Sequence, residues 1–222
     1  MLSYLLKPLA LKAAPTAILL ALITISGCAH KRPTGPDLAL VRSPGETLRA
    51  EAVVDMDRTL SASGKARIYA QAPGSFRIEI KGPFAQVVAL FASDGYTLHT
   101  FTDGVERFYP AGSPDAPLPF SNAEIVSLLM GLDLKPLKDA GFEIEADQKG
   151  RPVKAEKQIS GSNAGTVTVL FSDYRETGGR DVPFEISIQG PRLDRIRIRY
   201  SSVETGGGFE EGFFDIEAGG QD

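Results

Sequence analysis

The chain has 222 residues, 42% of them hydrophobic, with 24 basic side chains against 28 acidic ones and one cysteine. That is long enough to bury one sizeable core and too acidic to bind nucleic acid by charge. The lone cysteine, Cys28, excludes an intrachain disulfide, a CxxC metal knuckle and an internal cysteine nucleophile.

In chain order, Lys7 and Lys12 give a positive start, and Ala13 to Ile25 is an apolar run broken only by Pro15 and two threonines. The run is short for a membrane-spanning helix, which needs about 20 residues, so residues 1–27 read as a signal peptide. It ends in Ile25-Ser26-Gly27-Cys28, which resembles the bacterial lipobox. That resemblance implies cleavage before Cys28 and acylation of its sulfur and new amine. Several acyl chains on one residue anchor stably where a single chain does not. Ala29, at the sorting position beside the cysteine, is not the aspartate that retains lipoproteins in the inner membrane. The expected address is therefore the outer membrane of a Gram-negative bacterium, facing the periplasm. Loss of Lys7 and Lys12 leaves 22 basic against 28 acidic residues, a net charge of about −6.

Residues 28–44, with Lys31-Arg32-Pro33, Gly35-Pro36 and Ser43-Pro44, read as a lipidated N-terminus and tether with at most a short helix over Asp37 to Arg42. From residue 45 onward one domain is expected. Short β-favouring runs cover Leu48 to Met56, Leu60 to Ala70, Phe76 to Ile80, Gln86 to Ala92, Tyr96 to Phe101 and Val105 to Tyr109. Ser-Gly, Pro-Gly, Gly-Pro and Asp-Gly pairs separate them, which is the punctuation of an antiparallel meander. Phe76, Ile78 and Ile80 alternate with Arg77, Glu79 and Lys81, so one face is dry and the other wet.

The stretch KGPFAQVVALFASDG, Lys81 to Gly95, breaks that alternation. Gly82-Pro83 favours a tight turn, and Ala85 to Ala92 is apolar apart from Gln86, as in a strand covered on both faces. Phe84, beside the turn, is either folded into the core or held out toward a partner or membrane.

Four prolines between Tyr109 and Phe120, with Gly112 among them, predict a loop. Ser121 then offers an N-cap with Glu124 in the capping-box position, predicting a short amphipathic helix over Asn122 to Met130 with its apolar side on the sheet. Strands resume over Phe142 to Ala146, Val153 to Ile159, Gly165 to Phe171, Phe184 to Gln189, Arg195 to Val203 and Phe213 to Ile216, with Gly206-Gly207-Gly208 as a flexible joint. The total is mainly β: a curled antiparallel sheet of about eleven or twelve strands, an incomplete half-open β-barrel with a short helical lid. Its concave face either fills with side chains or encloses a cavity.

No catalytic constellation is present in the sequence pattern. His30 and His99 have no metal-ligand spacing, Asp55 and Asp57 flank a turn and read as solvated, and no nucleophile elbow or phosphate-binding loop occurs. The expectation is a protein that is not an enzyme and uses no metal or cofactor.

From Lys81 to Gly112 the chain resembles the LolB family of outer-membrane lipoproteins and the wider LolA/LolB fold. The residues that carry this are the arginine-containing strand before the turn, Gly82-Pro83-Phe84, the apolar strand, Asp94-Gly95 and Arg107-Phe108-Tyr109. Val182-Pro183-Phe184-Glu185-Ile186 and Arg195-Ile196-Arg197-Ile198 fit the closing half. The resemblance covers most of the mature chain and implies a half-barrel with an apolar cavity for lipoprotein acyl chains, loaded by a periplasmic LolA-like carrier. It also implies that Pro83 and Phe84 form the loop that promotes insertion into the membrane. The cavity candidates are Phe76, Ile78, Ile80, Val88, Leu90, Ile196, Ile198 and Tyr200, with Leu128 and Leu129 from the lid. A monomer is expected. The alternative is a lipid-binding or scaffolding lipoprotein of the same fold without insertion activity. The family's long first helix is missing here or reduced to the tether, and the segment after Met130 is shorter than the family's.

Overall fold

The computed structural model describes residues 46–56, 63–131, 134–160, 164–191 and 193–216. The signal peptide, Cys28, the tether with its short helix, His30, Asp57 and Leu60 lie outside them.

The chain folds into eleven antiparallel strands and two short helices: β1 (Thr47–Met56), β2 (Ser63–Gln71), β3 (Ser75–Lys81), β4 (Val87–Asp94), β5 (Thr97–Thr102), β6 (Val105–Pro110), α1 (Asn122–Met130), α2 (Lys135–Asp139), β7 (Glu143–Ala146), β8 (Pro152–Ile159), β9 (Gly165–Thr177), β10 (Arg180–Gly190) and β11 (Leu193–Thr205). All the strands belong to one sheet in the order β6-β5-β4-β3-β2-β1-β11-β10-β9-β8-β7. Two meanders therefore join at the β1–β11 pair, and β6 and β7 are free edges, so the sheet does not close. A register shift at Glu51/Ala52, in the pairing of β1 with β11, marks the kind of bulge that bends a strand.

Alternation sets the inner face. Leu48, Ala50, Ala52 and Val54 of β1, Ala66, Ile68 and Ala70 of β2, and Phe76, Ile78 and Ile80 of β3 are all buried. The alanines on the two central strands make the room that α1 occupies, and α1 packs against β2, β3 and β10. The helix begins as the sequence predicts: Ser121 Oγ accepts from Glu124 N–H, and the Glu124 carboxylate accepts from Ser121 N–H. It is not an amphipathic lid with a wet side, however, because every residue from Glu124 to Met130 is buried. Leu118 and Phe120 of the proline-rich loop, Leu137 of α2 and Phe142 join α1 in the core. Pro136 sits in the first turn of α2, where a missing N–H costs nothing.

Several boundaries differ from the sequence reading. Ser63-Gly64 is not a turn but the start of β2; a Cβ on Gly64 would lie 2.1 Å from Lys81 O, so only glycine permits this close strand approach. β9 and β10 extend to a two-residue hairpin at Gly178-Gly179, both at positive φ, so the strands run past Phe171 and begin before Phe184. Phe213 to Ile216 is not a strand. It belongs to a C-terminal segment laid on the outer face, where Phe209 and Phe213 pack edge-on against Tyr69. Gly206 to Gly208 is pinned rather than loose: Gly206 N–H donates to Thr47 O, Thr47 Oγ to Gly207 O and Arg49 to Gly208 O.

Candidate functional site

The concave face and the turn at its rim form the candidate site. The inner wall comes from Ile78 and Phe91 on one side and Ile186, Ile188, Ile196 and Ile198 on the other, with Met56 between and Leu118, Phe120, Ile125, Leu128 and Leu129 above. The void they enclose is about 40 Å³ and wholly apolar. A binding pocket for a drug-sized ligand is ~300–1,000 Å³, so the interior is filled by the protein's own helix.

Three contacts hold that helix. At its N-terminus Glu124, 4% exposed, meets Lys157 Nζ at 2.6 Å. At its C-terminus Tyr200 Oη donates to Leu129 O at 2.9 Å. Gly131, at φ 61, ends the helix and packs on the Pro183 ring so closely that a Cβ would meet it at 2.6 Å. Burial raises the Tyr200 phenol well above its ordinary pKa, which keeps it a neutral donor.

Ile78, Leu128, Leu129, Ile196 and Ile198 line the void, and Phe76, Ile80 and Tyr200 are buried in the same core. Val88 is half-buried against it. Leu90 lies on the opposite face: it pairs with Glu79 and Phe101, both outward, while Ala89, Phe91 and Ser93 point in. The uninterrupted apolar run hid that parity. Phe91, Ile186 and Ile188 were not among the sequence candidates, although Phe91 pairs directly with Ile78, and Ile186 with Ile198.

At the rim, Phe84 is 90% exposed. Its turn is rigid: Ala85 N–H donates to Gly82 O, Gly82 N–H to Gln86 O, and the Gln86 side chain accepts from Phe84 N–H. Ala85 sits at φ 62, and a Cβ on Gly82 would collide with Gln86 and Val88. The phenyl ring is thus presented to solvent by a fully hydrogen-bonded scaffold.

On the outer face His99 is buried, stacked on Phe108 at 4.5 Å, with Glu106 3.7 Å from its Nε2. Burial lowers its pKa and the Glu106 carboxylate opposes this. Asp55 is not simply solvated: it accepts from Ser63 and Arg199 at 2.7 Å each, and these bonds hold its carboxyl below the usual range. Among the described residues no helix is long and apolar enough to cross a membrane.

The sequence matches no family model and no curated protein. Among solved structures, the chain is similar to a DUF1329 family protein from Desulfovibrio piger, with a TM-score of 0.49 and 14% identity over 79% of this chain and 92% of that one. It is similar to a LolA superfamily protein from Nitrosomonas europaea, with a TM-score of 0.47 and 11% identity over 78% and 90%. It is also similar to LprF from Mycobacterium bovis, with a TM-score of 0.31 and 16% identity over 74% and 87%.

Proposed function

We propose that this chain is an outer-membrane lipoprotein of LolB type, without enzymatic activity. It would receive the acyl chains of a lipoprotein from a periplasmic LolA-like carrier on its concave face and release them into the bilayer, itself anchored through Cys28. The observation that carries the reading is Phe84, a large aromatic held almost fully exposed by a rigid turn at the rim of an apolar half-barrel. Its near-complete exposure on a hydrogen-bonded turn, beside the exposed Val87, supports contact with an apolar partner.

Because the interior is filled, loading means that α1 gives way. Its buried Ile125, Val126, Leu128, Leu129 and Met130, at about 1.5–3 kcal/mol each, hold it with on the order of 10 kcal/mol. A chain of about fifteen methylenes entering the same space, at about 0.8 kcal/mol each, returns about 12 kcal/mol. Entry from water would roughly offset the displacement of α1, whereas a chain already buried in the carrier brings little of that gain, so handover needs no fuel only where α1 re-buries its apolar face as it gives way.

The test is Phe84→Glu: lipoprotein insertion is lost while the melting temperature is unchanged. Normal insertion by a folded variant overturns the reading. The filled interior favours a second reading, a scaffold of the same fold that binds no acyl chain. A mature protein that takes up no fluorescent fatty acid supports that alternative.

A further inference from the structure

Phe84 does not stand alone. The strand register places Val87, Lys81, Lys65 and Val53 directly opposite one another in a row across β4, β3, β2 and β1. Lys81, Lys65 and Val53 share the outer face with Arg77, Glu79 and Arg67 of the same strands, and Val87 and Val53 are 39% and 37% exposed. Two exposed valines thus flank two lysines, and the row begins at the foot of the Phe84 turn.

The lysines are the unusual part. Like charges directly opposite on antiparallel strands lie about 4.5–5.5 Å apart at Cβ and destabilise the pair. The acids nearest them on that face are Glu79, engaged by Arg77 at 2.7 Å, Asp55, engaged by Arg199 at 2.7 Å, and Glu51, which stands directly opposite Arg67. Neither Lys65 nor Lys81 has an ion-pair partner among the described residues. On a chain of net negative charge, this is a local cationic pair with no internal counterion, set among solvent-exposed apolar side chains.

We infer that Val53, Lys65, Lys81, Val87 and Phe84 form one docking surface for a bilayer containing anionic phospholipid. The headgroup phosphates neutralise Lys65 and Lys81 together, and Phe84 and the valines enter the boundary of the acyl region. Charge complementarity selects this occupant: an anionic headgroup relieves the opposed pair, and the apolar neighbours suit a bilayer and not a free anion. The inference rests on the membrane-directed reading of Phe84 and adds a lipid preference and an orientation, with the Phe84 end of the outer face of β1 to β4, the end away from the C-terminal segment, tilted onto the membrane.

The test uses the mature chain with Cys28→Ser, which keeps every strand of the sheet but has no acyl anchor. Its binding to phosphatidylcholine vesicles is compared with binding to vesicles of phosphatidylcholine and phosphatidylglycerol. The expected result is binding on the order of tenfold to thirtyfold tighter to the anionic vesicles, falling toward the neutral value at high salt. Lys65→Ser with Lys81→Ser removes that increment, with a melting temperature no lower than the parent's because a repulsive pair has gone. Equal binding to both vesicles, or an increment that survives the double substitution, overturns the inference. If the increment is absent but insertion still depends on Phe84, only this inference falls. If the increment is present but Phe84→Glu inserts lipoproteins normally, the insertion reading falls and the anionic surface stands.

Discussion

Tyr200 Oη donates to the carbonyl oxygen of Leu129 at 2.9 Å, so a side chain from β11 completes the last turn of the helix that fills the half-barrel. That carbonyl lies where a helix runs out of internal donors, in surroundings that water does not reach. Replacing Tyr200 with Phe removes that buried donor at almost constant volume. The expected cost is about 1–3 kcal/mol, read as a lower denaturant midpoint with unchanged slope, together with faster hydrogen exchange over 122–130.

The other end of the helix is held by charge. Glu124 is 4% exposed, and Lys157 Nζ is 2.6 Å from its carboxylate. Lys157→Ala strands the carboxylate with only the Ser121 N–H, and destabilisation near the lower end of about 3–5 kcal/mol is expected because Lys157 is partly hydrated. Glu124→Gln should cost less, since its amide oxygen still accepts from Ser121. Equilibrium urea unfolding of both variants checks the order.

Gly131→Ala combines two penalties: a left-handed φ of 61 and a Cβ 2.6 Å from the Pro183 ring. Gly104→Ala, at φ 76 with nothing within 4 Å of the added carbon, carries only the first. The Gly104 variant should lose about 1–2 kcal/mol and the Gly131 variant clearly more, measured side by side by thermal unfolding.

His99 predicts a pH effect. Burial lowers its folded pKa below the ordinary value near 6.5, and Arg77 lowers it further, against the pull of Glu106. As pH falls from about 6.5 toward the folded value, the unfolded chain takes up a proton that the folded His99 refuses, and stability drops. Well above pH 6.5 the imidazole is neutral in both states and contributes no slope. His99→Gln should flatten the urea midpoint between pH 5 and 7, and a variant with the parent's slope would assign the effect to another group.

Much of this fold is legible because alternation and turn chemistry agree. Phe76-Arg77-Ile78-Glu79-Ile80-Lys81 announces its inner face, Asp94-Gly95 and Asp103-Gly104 announce their turns, and Ser121 with Glu124 marks the helix start. The sequence was ambiguous wherever tertiary packing overrode local pattern. Val87 to Ala92 is apolar on both sides, and on the outer side Leu90 and Ala92 line a cleft whose other wall includes Phe214 of the C-terminal segment, so its parity could not be read locally. The helix has Asn122, Glu124 and Ser127 on what looks like a wet side, yet all three are buried, because segments distant in sequence close over the helix, with Lys157 against Glu124 and the β2–β3 turn at Gly74 against Asn122. Whether the barrel was full depended on that closure, which no single segment encodes. Phe84 could be placed at the turn from sequence, but its exposure follows from the Gln86 side chain and the left-handed Ala85.

In the proposed transfer an acyl chain and α1 compete for one apolar space. The direct test is hydrogen exchange over residues 122–130 of the mature protein, with and without a triacylated lipopeptide. The lipopeptide is expected to bind, and exchange in this segment to rise while β3 and β11 keep their protection. Binding with α1 still fully protected, or no binding at all, would contradict it and leave the filled half-barrel as a scaffold.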